Sequence, residues 1–242
     1  MIGNFKKYLI FNENSILISY DLPINSKLTN IISLMKGNIE KKFQNNLVEI
    51  VQSISSLLVI FDNNKISAKA FIFELKKIKD KETVVLKSNK IWQIPVCYDL
   101  KYGVDLENLA KKQQLYPSEI IHFHKSKLYD VLSMGFLPGF MYLGFTNNQL
   151  HCERKETPSF KVNKGSIGIA LNQTCIYPQD SPGGWHIIGI SPLNFFDLVF
   201  NKLNSGPLKT FNNLLTLKFN IGFFKTLLLK LLDILISSPF FN

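Results

Sequence analysis

Between residues 135 and 197 glycine or proline recurs every few positions, at Gly135, Pro138, Gly139, Gly144, Gly165, Gly168, Pro178, Pro182, Gly183, Gly184, Gly189 and Pro192. Proline lacks a backbone donor and has a fixed φ, and glycine weakens a helix interior, so no long helix can run through this block. What the pattern allows is short apolar strands joined by tight corners, a β-rich, barrel-like or sandwich domain. Phe136, Phe140, Tyr142, Tyr177 and Trp185 can wall a cleft whose few polar groups are Gln173, Arg154, His124 and Ser181. A mostly apolar cleft with a few convergent polar groups is how a small-molecule site is built. Residue by residue, the same glycines also serve as barrel corners and the same rings as core.

The first 90 residues follow another rhythm. Residues 8–11 and 16–20 read as short strands joined through Asn12, Glu13 and Asn14. Leu28, Ile31, Ile32, Met35, Ile39 and Phe43 fall on one face of a helix over 28–43. Strands at 47–51 and 57–61 and a helix at 68–78 follow, the helix ending in lysines that suit its C-terminus. A β-α-β-β-α order of this kind is expected of a small ferredoxin-like α+β domain over 1–88. Residues 79–89, polar and charged, read as a linker. A second domain then runs over 89–220, opening with a strand at 91–97, a helix at 106–115 capped by Asp105, and a shorter one capped by Ser118. Residues 221–242 are an apolar, helix-like tail broken by Lys225, Lys230 and Asp233. They suit core or subunit packing, with a membrane-surface contact as the alternative.

The net charge of +10 does not mark a nucleic-acid binder, because the lysines come in scattered pairs at the edges of apolar segments. Three widely spaced cysteines without a CxxC pair fit a reducing cytoplasm. No apolar run reaches a membrane-spanning length, and the run at 8–11 is too short for a leader, so neither is expected. Gly139 to Gly144 has the glycine spacing of a phosphate-binding loop, but Phe145 stands where the lysine is needed. Ser166 lacks the preceding glycine of a nucleophile elbow. His122 and His124 lie on different faces of a helix and have no further ligand at zinc-site spacing, so no metal is expected.

The order and spacing of several motifs resemble one family. They are 135–144 (GFLPGFMYLG), 165–170 (GSIGIA), 173–178 (QTCIYP), 181–185 (SPGGW), Ile188-Gly189 and Phe196-Asp197, preceded by 94–98 (IPVCY), 103–106 (GVDL) and His124 with Ser126. They look like the KipI/allophanate hydrolase subunit 1 family, and within it most like its 5-oxoprolinase B subunits. That resemblance implies a ferredoxin-like N-terminal domain and a cyclophilin-like β-barrel C-terminal domain. It also implies work in a complex with an A subunit and a KipA-type C subunit, opening 5-oxoproline to glutamate. ATP would be used by the complex and bound mainly by a partner subunit. The family equally contains an inhibitor of a histidine kinase and carboxyltransferase-type modules of urea carboxylase systems.

Within the cleft, His124 is the candidate for proton transfer, since an imidazole titrates near neutral pH. Gln173 and Tyr177 are candidates to hydrogen-bond the substrate carbonyl or its oxyanion. Arg154, which matches an arginine of the family, would face the substrate carboxylate. Pro138, Tyr142, Ser181, Gly183, Gly184 and Trp185 would line the same space. The alternative is structural: His124 bridges strands and Arg154 pairs with Glu153 or Glu156. The sequence departs from the family at Ser159, where an arginine is usual after a proline, and at Asn163, where a proline is usual after a valine. Serine cannot replace the charge or the fork of a guanidinium.

Overall fold

The structure, a computed structural model, describes residues 5–78, 90–195 and 214–219. The chain divides into two compact units between Leu86 and Lys87. The expected linker at 79–89, the tail at 221–242 and the Phe196-Asp197 pair lie outside the described residues.

The first unit runs β1 (Lys6–Asn12), β2 (Ser15–Tyr20), α1 (Ser26–Phe43), β3 (Leu47–Gln52), β4 (Ser56–Phe61) and α2 (Ala68–Lys76). Its strands form one antiparallel sheet in the order β1-β2-β4-β3. The leading β1–β2 hairpin contains both strands read at 8–11 and 16–20 and gives β-β-α-β-β-α, where the expected ferredoxin-like order has a single strand in that place. The Asn25 side chain accepts from the Leu28 N–H and starts α1, as a short polar side chain does at a helix entrance. Leu28, Ile32, Met35, Ile39 and Phe43 are buried, as their spacing predicts, while Ile31 is partly buried at the edge of that core. Alternation then selects Ile16, Ile18 and Tyr20 from β2 and Leu57, Val59 and Phe61 from β4. Phe71 of α2 packs edge-on to Phe43 and Phe61 at 5.0 and 5.1 Å.

In the second unit come β5 (Lys90–Pro95), α3 (Leu106–Gln113), α4 (Pro117–Lys125), β6 (Leu128–Met134), β7 (Met141–Gly144), β8 (Ser159–Val162), β9 (Ser166–Ala170), β10 (Gln173–Ile176), β11 (Ser181–Gly183), β12 (His186–Ile190) and β13 (Leu214–Phe219). Seven of these strands form a sheet in the order β12-β9-β10-β7-β6-β13-β5, and β8 pairs separately with β11. Among the described strands only the β13–β6 pairing is parallel. The barrel expected here is not a closed ladder. Among the described residues, β12 meets the chain just past β5 through a single bridge, in which Cys97 and Ile190 exchange both backbone hydrogen bonds at 2.8 and 2.9 Å. The mixed helix and sheet class stands, and the barrel is corrected to an open sheet joined at one point.

The pleat sends alternate residues to opposite faces. Ile167, Ile169, Ile176 and Ile188 turn inward and pack with Leu106, Leu109, Ala110 and Ile120 of the two helices. Ala170, Cys175 and Ile187 turn outward and pack with Phe140, Tyr177, Trp185 and Val162, the last from β8.

Both helix starts differ in detail from the sequence expectation. Asp105 stands at the N-cap of α3 without a side-chain cap bond. Its carboxylate instead accepts from the Ile187 N–H at 2.7 Å and from Lys155 Nζ at 2.9 Å. Tyr116, not Ser118, precedes α4, because Pro117 takes the first helical position and Glu119 accepts from the Tyr116 N–H at 2.7 Å.

Candidate functional site

Strand β10 carries the candidate residues in two directions. Thr174 turns inward to a buried polar network, whereas Gln173 and Cys175 turn outward with Tyr177 just beyond the strand. The outward group gathers most of the residues that the sequence singles out, and the inward group contains His124.

His124, from the last turn of α4, is fully buried. Its Nδ1 lies 2.8 Å from the Tyr98 hydroxyl and its Nε2 lies 2.8 Å from Thr174 Oγ1. Thr174 donates its single hydroxyl proton to the Gly168 carbonyl at 3.0 Å. It must therefore accept from His124, which fixes the proton on Nε2 and leaves Nδ1 to accept from Tyr98. The Tyr129 hydroxyl donates to the His124 carbonyl at 2.8 Å. Burial pushes the imidazole down to about 3 and raises both phenols. A ring that stays neutral at pH 7, with both nitrogens engaged and no exposed surface, holds the helix against the sheet. Both ring nitrogens are thus engaged in the way that the structural alternative for His124 describes.

On the outer face Phe140 is the hub, with ring centroids of Tyr142, Tyr177 and Trp185 at 4.9, 5.0 and 6.3 Å. Tight backbone approach makes this possible. A side chain at Gly168 would press on Cys175 Sγ and Trp185 Cβ at 3.0 Å, and one at Gly183 would overlap the Tyr177 hydroxyl. The Tyr177 phenol is raised by burial, against the lowering pull of the Trp185 backbone N–H beside it. Tyr177 is therefore inside the cluster and seats the turn at Gly183 and Gly184. Tyr142 is half-buried at the rim, its phenol raised by burial against the opposing pull of Arg154.

Arg154 is exposed, and its guanidinium carbon lies 5.9 Å from the centre of the Trp185 ring. Among the described residues it forms no ion pair, with Glu153 and Glu156 included. Ser181 Oγ is buried without a hydrogen-bond partner among the described residues. Gln173 is nearly buried on the same face, registered between Gly144 and Ala170. Pro138 sits partly buried in the β6–β7 connection, which the Phe140 N–H closes onto the Leu137 carbonyl. The structure thus brings Gln173, Tyr142, Tyr177, Trp185 and Arg154 to one face and places His124 behind it.

The ammonium of Lys155 was not foreseen from sequence. It lies 2.8 Å from Ser159 Oγ and 2.9 Å from Asp105 Oδ2, and both members of the ion pair are mostly buried. The place of the missing guanidinium at 159 thus has an ammonium beside it, although one already paired with a carboxylate. No sequence spacing links residues 105, 155 and 159. A second unforeseen feature is a groove of about 620 Å3 between the last turn of α3 and the start of β12.

The carboxyltransferase domain, subdomain C and D, family matches residues 6–204. The chain is 33% identical to the 5-oxoprolinase B subunit of Bacillus subtilis (strain 168), over 76% of this chain and 81% of that protein. It is 36% identical to the 5-oxoprolinase B subunit of Haemophilus influenzae, over 64% of this chain and 72% of that one. Among solved structures, the crystal structure of TTHA0988 is similar with a TM-score of 0.64 and 26% identity, covering 76% of this chain and 35% of that one. The chain therefore spans about a third of that structure's length.

Proposed function

We propose, from the premise that this chain belongs to the carboxyltransferase domain, subdomain C and D, family, that it is the B-type subunit of a 5-oxoprolinase. The observation that carries this reading is the similarity to bacterial 5-oxoprolinase B subunits across most of the chain. The reaction opens the lactam of 5-oxoproline with water to give glutamate, coupled to ATP hydrolysis in a complex with A and C subunits.

The outer face of the sheet is where this chain meets the substrate. The guanidinium of Arg154, without an acidic partner among the described residues, takes the substrate carboxylate, and Trp185 beneath it limits the cation to one side. The rims of Tyr142 and Trp185 cover the apolar ring carbons. Gln173 and the unpartnered Ser181 hydroxyl offer hydrogen bonds to the lactam group. Leaving that hydroxyl unpaired costs about 1–3 kcal/mol, which a ligand acceptor would offset. Tyr177 and His124 are positioning residues: the first seats the Gly183–Trp185 turn, the second holds β10 from behind.

ATP supplies the driving force by activating the amide oxygen. Residues 141–144, which contain the end of the glycine-spaced stretch, do not fit its phosphates. They form strand β7, paired on one side with β6 and on the other with β10, so their amides are committed to the ladder. The nucleotide is accordingly assigned to a partner subunit. The three cysteines are free thiols, which fits a reducing compartment, and on this reading the complex works in the cytoplasm.

The test is co-expression with the A and C subunits and measurement of glutamate formed from 5-oxoproline and ATP. Omitting this chain should abolish the rate. An unchanged rate without it, together with co-purification of a histidine kinase, would replace the hydrolase reading by an inhibitor.

A further inference from the structure

The groove beside α3 lies on the inward-facing side of β12, where His186 begins the strand, whereas the preceding Trp185 belongs to the outer face. Its walls are stitched together. Gln113 Nε2 donates to the His151 carbonyl at 2.6 Å, and Cys152 exchanges backbone hydrogen bonds with Leu171 in the β9–β10 turn. His186 Nε2 lies 3.0 Å from the Glu153 carbonyl, which can only accept, so that nitrogen carries the proton and Nδ1 is left as an acceptor. Burial lowers the imidazole, which keeps it in this neutral form.

The charged groups of the groove form a separated pair. Lys112 and Glu153 both line it, yet neither forms an ion pair with the other or with any other described residue. Both act on Cys152 between them, the ammonium lowering and the carboxylate raising a thiol that burial carries up to about 11. Around this pair the remaining free polar atoms are mostly acceptors or amides: His186 Nδ1, the Gln113 carbonyl oxygen and the Asn172 side chain. A plain anion would find one cation and a surplus of acceptors. A molecule that carries a carboxylate and an ammonium on one carbon would satisfy both ends. A volume of about 620 Å3 falls in the range of small-molecule sites.

We propose that this groove binds a free α-amino acid, with Lys112 pairing its carboxylate and Glu153 and His186 Nδ1 receiving its ammonium. The site is separate from the Arg154 face. It rests on the 5-oxoprolinase reading only in the choice of probe, L-glutamate, the amino acid which that reaction releases.

Titration calorimetry on the full-length chain tests it, with L-glutamate, glutarate and 5-oxoproline as probes. Glutamate should bind, and glutarate, which lacks the ammonium, should bind at least about tenfold more weakly, since a charge-assisted hydrogen bond is lost. Lys112→Ala and Glu153→Gln are exposed substitutions that leave the fold intact, and each should weaken glutamate about tenfold. Glutarate binding as tightly as glutamate would reduce the groove to an anion patch and overturn the proposal, as would the absence of glutamate binding. If glutamate fails to bind here while the reconstituted complex still hydrolyses 5-oxoproline, the groove proposal falls and the function stands. An inactive complex with intact glutamate binding would mean the reverse.

Discussion

The two faces of the seven-stranded sheet are built from the same strands and differ in how they treat polar groups. On the inner face each polar atom of the His124 network has a partner, and the chain of donors runs one way, from Tyr98 through His124 and Thr174 to the Gly168 carbonyl. On the outer face the rings interlock just as closely, yet among the described residues Arg154 is left without an ion pair and Ser181 without a hydrogen bond. Closed polar networks fix a fold, because a buried group without its partner is costly. Open ones at the edge of an apolar cluster leave interactions for a ligand. The difference separates scaffold from site more clearly than residue type does, since histidine stands on the scaffold side.

Substitutions can break this comparison. The largest effect is expected from Phe140→Ala, which removes the hub of the outer cluster and should cost about 3–5 kcal/mol in denaturant unfolding. A much smaller loss would mean that the rings are a loose cleft wall and not a second core. Thr174→Val removes the acceptor of the His124 Nε2–H and should cost about 1–3 kcal/mol. An additional cost to substrate affinity of the folded protein would show that the two faces are coupled.

The pH dependence sharpens the same contrast. His124 titrates at about 3 when folded against an ordinary 6.5, so between these values the unfolded chain binds the extra proton. Its contribution to stability is therefore complete above about pH 6.5 and is lost as pH falls towards 3, with a limiting slope of about 1.4 kcal/mol per pH unit. His124→Gln should flatten that part of the profile, and an unchanged profile would show that the imidazole is not buried as described. The smallest stability effect is expected of Arg154→Ala, within about 0.5 kcal/mol. A larger loss would mean that the guanidinium belongs to the scaffold.

Much of the fold was legible because it rests on local chemistry. The helix face from Leu28 to Phe43 and the short strands of the glycine-rich block follow from spacing and from backbone restriction. The outer aromatic cluster was legible for a related reason, since Tyr142, Gln173, Tyr177 and Trp185 lie in motifs whose glycines serve that cluster. Partnerships across long separations were not legible. Tyr98, His124 and Thr174 meet only after the sheet forms, and so do Asp105, Lys155 and Ser159. An isolated histidine in sequence carries no mark of whether both its nitrogens will be taken. The barrel expectation failed for a geometric reason: corner residues specify bending, whereas closure depends on pairing between the two edges, where the described residues share only the Cys97–Ile190 bridge.

The most direct test of the account compares Arg154→Ala and His124→Gln in a reconstituted complex with its A and C subunits. Glutamate formation from 5-oxoproline and ATP would be measured at about pH 7.5, where the folded His124 ring is neutral, at a temperature where both variants remain folded. Arg154→Ala should lower kcat/KM for 5-oxoproline by about 10–150-fold, the equivalent of one charge-assisted hydrogen bond, while His124→Gln should stay close to the wild-type value. A wild-type rate for Arg154→Ala with a collapsed rate for folded His124→Gln would contradict the assignment of site and scaffold to the two faces.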